Sequence, residues 1–114
     1  MANKREVAKL NRKLLSGSKN REQVAKALKV FDDFYADCNT RGMAVIDRMA
    51  KTWGEYTLIF EVEQWSEEKA QNTFDYTLAI VNGDGEVVYD EADGELPLST
   101  VVRHFNNINK PRFY

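Results

Sequence analysis

At 114 residues, 43% hydrophobic and 30% charged, the chain is long enough for one domain with its own core and too short for a second. Its one cysteine, Cys38, excludes an internal disulfide, and the start MANKREVAK lacks the apolar run of a secretory signal. The longest apolar stretches, MAVI and YTLIF, fall far short of the ~20 residues that span a bilayer, so a single cytoplasmic domain over residues 1–114 with no membrane role is expected.

The net charge of −2 conceals an uneven layout. Residues 1–30 hold nine Lys and Arg against two acids (+7), and residues 31–114 hold seven against sixteen (−9). Such asymmetry steers partners or lets two parts of one fold face each other.

Val7, Leu10 and Leu14 recur at helical spacing before SGS, which predicts a first helix over about 3–15 closed by Gly17 in the left-handed conformation. Asn20 with Gln23 reads as a capping box. Val24, Leu28, Phe31, Tyr35, Cys38, Gly42, Val45 and Met49 then step by fours and threes without a break. That phase predicts one long second helix, about 20–52, bent near Gly42. After Gly54 the period becomes two: Tyr56, Leu58, Phe60 and Val62 alternate with Thr57, Ile59, Glu61 and Glu63, and Phe74, Tyr76, Leu78 and Ile80 repeat the pattern. VNGDGEVVY predicts a tight hairpin whose Val87 and Tyr89 continue the apolar face. Pro97 opens a last helix with the stripe Leu98, Val101, Val102, Phe105 and Ile108. The expected fold is α+β, ordered ααβββα: two N-terminal helices, a three-stranded antiparallel meander covered by the long helix, and a C-terminal helix.

Two charged regions are candidate sites. Arg5, Lys9, Arg12 and Lys13 lie on the first helix away from its apolar stripe, and Lys19, Arg21 and Lys26 extend the basic surface, a layout suited to phosphates without sequence preference. Opposed to it, Asp84, Glu86, Asp90, Glu91, Asp93 and Glu95 fall within twelve residues free of Lys and Arg, and Glu61, Glu63 and Asp75 lie on the earlier strands. Alternation places Trp65 on the face of Glu61 and Glu63, near Ile59, Ala79 and Val81. An apolar patch with an aromatic anchor and an acidic rim would suit a basic protein partner. In the bland alternative these charges simply solvate the sheet, and Trp65 closes the edge of its core.

Chemistry has little support. His104 is the only histidine, Ser99 stands five residues before it and off its helical face, and Cys38 falls in an apolar stripe. No phosphate-binding glycine loop, dinucleotide fingerprint or zinc spacing occurs in the sequence, and NGDG and DEADGE lack the ligand spacing of a calcium loop. No cofactor or metal is implied. The expectation is a small non-enzymatic protein-binding module, an inhibitor or adaptor of phage or mobile-element type, using an acidic face of Glu61, Glu63, Trp65, Asp75, Asp90, Glu91 and Asp93. The alternatives are a nonspecific nucleic-acid binder using the basic N-terminal helices, and an assembly subunit that dimerises through the long helix.

Overall fold

The computed structural model describes residues 4–36 and 43–114, with side chains from Glu6 onward. The chain runs α1 (Lys4–Ser16), α2 (Arg21–Phe34), β1 (Ala44–Trp53), β2 (Tyr56–Gln64), α3 (Ser66–Gln71), β3 (Thr73–Val81), β4 (Val87–Pro97) and α4 (Leu98–Asn107). The strands form one antiparallel sheet in the order β1-β2-β3-β4. The α+β class, the two N-terminal helices, the meander and the C-terminal helix are as expected; the long helix and the strand count are not.

The helix expected over 20–52 stops at Phe34, and residues 44–53 form a fourth strand at the edge of the sheet. Val45 and Met49, which carried the helical phase, lie on opposite faces of β1: Val45 pairs with Glu63, Met49 with Phe60, and a bulge separates Val45 from Asp47. The extra residue, Ile46, shifts the alternation so that Val45 and Arg48, three apart, share a face. Val45 and Met49 face inward on opposite sides of a sheet covered on both, so their spacing of four only coincides with a helical step. The seam expected to drive dimerisation has no long helix to sit on, and Cys38 and Gly42 of that stripe lie outside the described residues. Trp53 pairs with Tyr56 across a two-residue loop whose Gly54 has φ +57°, the first central position that mirror-image hairpin turns give to glycine.

Local capping also differs from expectation. Gly17 has no positive φ; the Leu15 carbonyl instead takes the Ser18 N–H. The Asn20 side chain makes no cap bond, and Gln23, the other half of the expected box, donates its amide to the Gly54 carbonyl and the Thr57 hydroxyl. Gln23 thus ties α2 to the β1–β2 hairpin.

Three layers result. On one face of the sheet, Val24, Ala27, Leu28 and Phe31 of α2, with Leu14 and Leu15 of α1, pack on Ile59, Ala79 and Val81. On the other, Val101 and Ile108 of α4 and its surroundings pack on Leu58, Phe60, Val62, Tyr76, Leu78 and Ile80. The strand β2 is consequently buried on both faces from Thr57 through Gln64. Val87 joins the α2 side and Tyr89 the α4 side, because a register shift near Val81 breaks the single face expected for them. Within the expected α4 stripe, Val101 and Ile108 are buried, whereas Leu98 and Val102 are 42% and 38% exposed.

Candidate functional site

The charged residues of the central strands fold inward. Arg48, 4% exposed, donates from Nε to Glu61 Oε2 (2.7 Å), from one terminal nitrogen to Asp32 Oδ1 (2.6 Å), and from the other to Asn11 Oδ1 (3.0 Å) and Asp32 Oδ2 (3.3 Å). One guanidinium thus joins α1, α2 and β2. Burial alone would lower the Arg48 pKa, but its bonds and charges to Asp32 and Glu61 outweigh this and raise it. Glu61 and Glu63, expected on an exposed acidic face, are 0% and 3% exposed, because the α1–α2 layer covers that side of the sheet. Burial, together with the neighbouring Glu61 carboxylate, pushes the Glu63 carboxyl up to about 9, and Glu63 Oε2 accepts the Thr77 hydroxyl at 2.8 Å. The buried Glu61 Oε1 has no other partner, and a protonated Glu63 supplies the donor it needs.

Trp65 is half-buried between β2 and α3, and its indole N–H donates to Asp75 Oδ2 at 2.7 Å. The exposed apolar patch expected beside it is absent among the described residues: Ile59, Ala79 and Val81 are buried under α2. Trp65, Asp75 and Glu63 do come together, lining a cleft of about 280 Å³ with Asp93 and Met43. Asp75 is also held by the sheet, since its Oδ1 accepts the Glu95 N–H at 3.1 Å. Gly94 lets this happen; a Cβ there would stand 2.5 Å from Asp75 Oδ1.

Glu91, expected on the acidic surface, is the centre of a cluster on the opposite face. Its Oε2 accepts from the Tyr76 hydroxyl (2.7 Å) and lies 2.6 Å from His104 Nε2, while Oε1 accepts the Tyr89 hydroxyl (2.8 Å) and faces Arg112 at 3.6 Å. Burial raises the Glu91 pKa, but the bonds from Tyr76, Tyr89 and His104 overcome it and hold the carboxyl below its usual range. Burial and the Glu91 carboxylate together raise Tyr76 well above an ordinary phenol. The sequence holds no spacing signal for this cluster, whose members are brought together only by the register of β3 on β4 and the seat of α4. Both Glu91 oxygens are engaged, so the group reads as a clamp that fixes α4 and the C-terminal residues to the sheet. Asp90 lies elsewhere, at the β4 edge, where its N–H is bonded to the Tyr114 hydroxyl.

The basic residues are engaged to different degrees, and Arg12 of α1 and Arg21 of α2 border one surface depression. Lys26 donates to the Gly83 carbonyl at the β3–β4 turn, and Arg21 donates to the Leu15 carbonyl at the end of α1. Lys19 is exposed at the α1–α2 junction, and the Arg5 side chain lies outside the described residues. Lys9, Arg12 and Lys13 are exposed on α1. Of these, Lys9 and Lys13 border a groove of about 660 Å³ between α1 and the start of β1, lined also by Leu10, Val45, Ile46 and Lys69 of α3.

No family model, curated protein or solved structure matches the chain. Among the described residues, no group of three or more His, Cys, Asp or Glu side chains is placed to hold a metal ion, and no helix is long and apolar enough to cross a membrane.

Proposed function

We propose that this protein is a non-enzymatic protein-binding module of the inhibitor or adaptor kind, and that it docks its partner in the groove between α1 and the edge strand β1. The observation that carries the reading is the make-up of that groove: Ile46 is 40% exposed beside half-buried Leu10, and lysines from two separate elements surround them. Interfaces combine an apolar centre with a charged rim in this way. Three of the acidic groups expected to dock a partner are engaged internally, Glu61 with Arg48, Glu63 with Thr77 and Glu91 with two tyrosines, while Asp93 is exposed. A nucleic-acid contact is the second reading, favoured by the exposure of Lys9, Arg12 and Lys13 along one helix.

The test is capture from the native cell with the full chain after nuclease treatment, comparing the parent with Lys9→Glu/Lys13→Glu and with Asp90→Asn/Asp93→Asn. A protein retained by the parent and the second variant and lost with the first is expected. The reverse pattern would move the interface to the acidic side, and capture that disappears on nuclease treatment would favour the second reading.

A further inference from the structure

We infer that the α1–β1 groove receives an acidic segment of a partner protein carrying one bulky apolar side chain, an inference that rests on the protein-binding reading above. The apolar requirement comes from Ile46. A bulge leaves one residue unpaired in the ladder, and exposed sheet edges are commonly guarded against association by charged side chains. Here the unpaired residue is an isoleucine, 40% exposed, lining a groove together with Leu10 and buried Val45. An apolar side chain seated between Ile46 and Leu10 would remove both from water.

The acidic requirement comes from the lysines. Lys9 and Lys13 are one turn apart on α1 and bracket Leu10, while Lys69 reaches the groove from α3, so positive charge stands on both banks; Glu6 is the one acid on the rim. Elsewhere Lys26 bonds the Gly83 carbonyl, Lys29 pairs with Asp33 on the surface, and Lys51 bonds the end of α4, whereas Lys19 and Lys110 are exposed without such a partner among the described residues and border no apolar groove with the three groove lysines. Lys9, Lys13 and Lys69 take part in no ion pair among the described residues. An apolar seat bordered by three lysines and one glutamate carries net positive charge and is complementary to carboxylates flanking an apolar anchor, and carboxylates in that position would both speed encounter and fix register.

The probes are fluorescently labelled peptides of Asp, Glu and Ser around a single central Leu, a matched peptide with Ser for Leu, and an oligothymidylate strand, titrated onto the full chain by anisotropy. The Leu peptide is expected to bind, and its affinity to fall by about tenfold or more with Lys9→Glu/Lys69→Glu, with Ile46→Ser, or when Ser replaces its Leu. Circular dichroism and melting must match the parent; Lys9→Gln/Lys69→Gln provides a milder pair should charge reversal disturb folding. Equal binding of the Leu and Ser peptides, or indifference to Ile46→Ser, would overturn the anchored-segment inference. Failure of the peptide to bind, with cellular capture still dependent on Lys9 and Lys13, would overturn the inference and leave the protein-binding reading standing. Oligothymidylate binding that is lost with the same lysine variants, with no peptide binding, would overturn both.

Discussion

Glu63 keeps a proton because releasing it would place a second negative charge beside Glu61 in a site closed to water, and that has a measurable signature. Folding raises this carboxyl from 4.5 to about 9, so between those limits the folded chain holds a proton that the unfolded chain has released. Its contribution to stability is complete below about pH 4.5 and declines as pH rises toward 9. Glu91 acts oppositely: its depressed pKa gives a contribution that is present above the ordinary carboxylate range and lost on acidification. Glu63→Gln retains an oxygen for the Thr77 hydroxyl and replaces the carboxyl proton with an amide donor toward Glu61. We expect this variant to match or exceed the parent at pH 8 and to flatten the neutral-to-alkaline decline in melting temperature; an unchanged slope would place its source elsewhere. Arg48 is the complementary case. Arg48→Met leaves buried Glu61 without its cation, and a loss of about 3–5 kcal/mol in urea unfolding is expected, with much of it recovered in Arg48→Met/Glu61→Leu. None of this was legible in the sequence, where glutamates alternating with apolar residues describe a wet sheet face. Only the second helical layer turns that face inward, and its register is a property of the folded chain.

At the scale of elements, α1, the start of α2, β2, β3, the β3–β4 hairpin and α4 were legible, because each carries one uninterrupted period. The strand β1 was not. Its bulge at Ile46 destroys the period of two, and Val45 with Met49 happens to continue the step of the preceding helix. The signal that survives is the hairpin Thr52-Trp53-Gly54-Glu55-Tyr56-Thr57, with glycine where a two-residue loop requires it. The same strand supports an element remote in sequence. Lys51 donates to the Phe105 and Ile108 carbonyls at the end of α4, and its ammonium stands 4.5 Å from the centre of the Phe105 ring. Burial lowers the Lys51 pKa, and the two carbonyls accept from its ammonium. Lys51→Met preserves the aliphatic stem and removes this cap. A stability loss of about 1–2 kcal/mol is expected, with faster amide exchange concentrated in α4. A uniform acceleration across the sheet would argue against a capping role.

For the molecule as a whole, the two edges of the sheet are treated differently. The β1 edge carries the Ile46 bulge, and Asp47 Oδ1 accepts the Arg48 N–H at 2.8 Å, so one edge amide is already satisfied locally. The β4 edge is closed by the chain itself: the Tyr114 N–H donates to the Val88 carbonyl at 3.2 Å and its hydroxyl accepts the Asp90 N–H at 2.9 Å. Behind it, Phe113 stands edge-on to Tyr56 at 5.1 Å and Arg112 faces Glu91 at 3.6 Å. Phe113 and Tyr114 remain 53% and 80% exposed, so their burial contributes little to folding and their principal effect is to occupy the edge. Removing residues 112–114 should therefore cost about 1 kcal/mol or less in unfolding, since the His104–Glu91 and Tyr76–Glu91 contacts that seat α4 remain. Its larger effect should be on association, because an uncovered strand edge offers unpaired N–H and C=O groups to a second chain. Sedimentation velocity over a concentration series should show the shortened chain self-associating more than the parent. Asp90, Asp93 and Glu95 lie on the same strand and repel a like-charged copy, so the increase should be steeper at high salt, where that repulsion is screened. If the shortened chain sediments like the parent at both salt concentrations, the acidic side chains of β4 guard this edge without help from Tyr114.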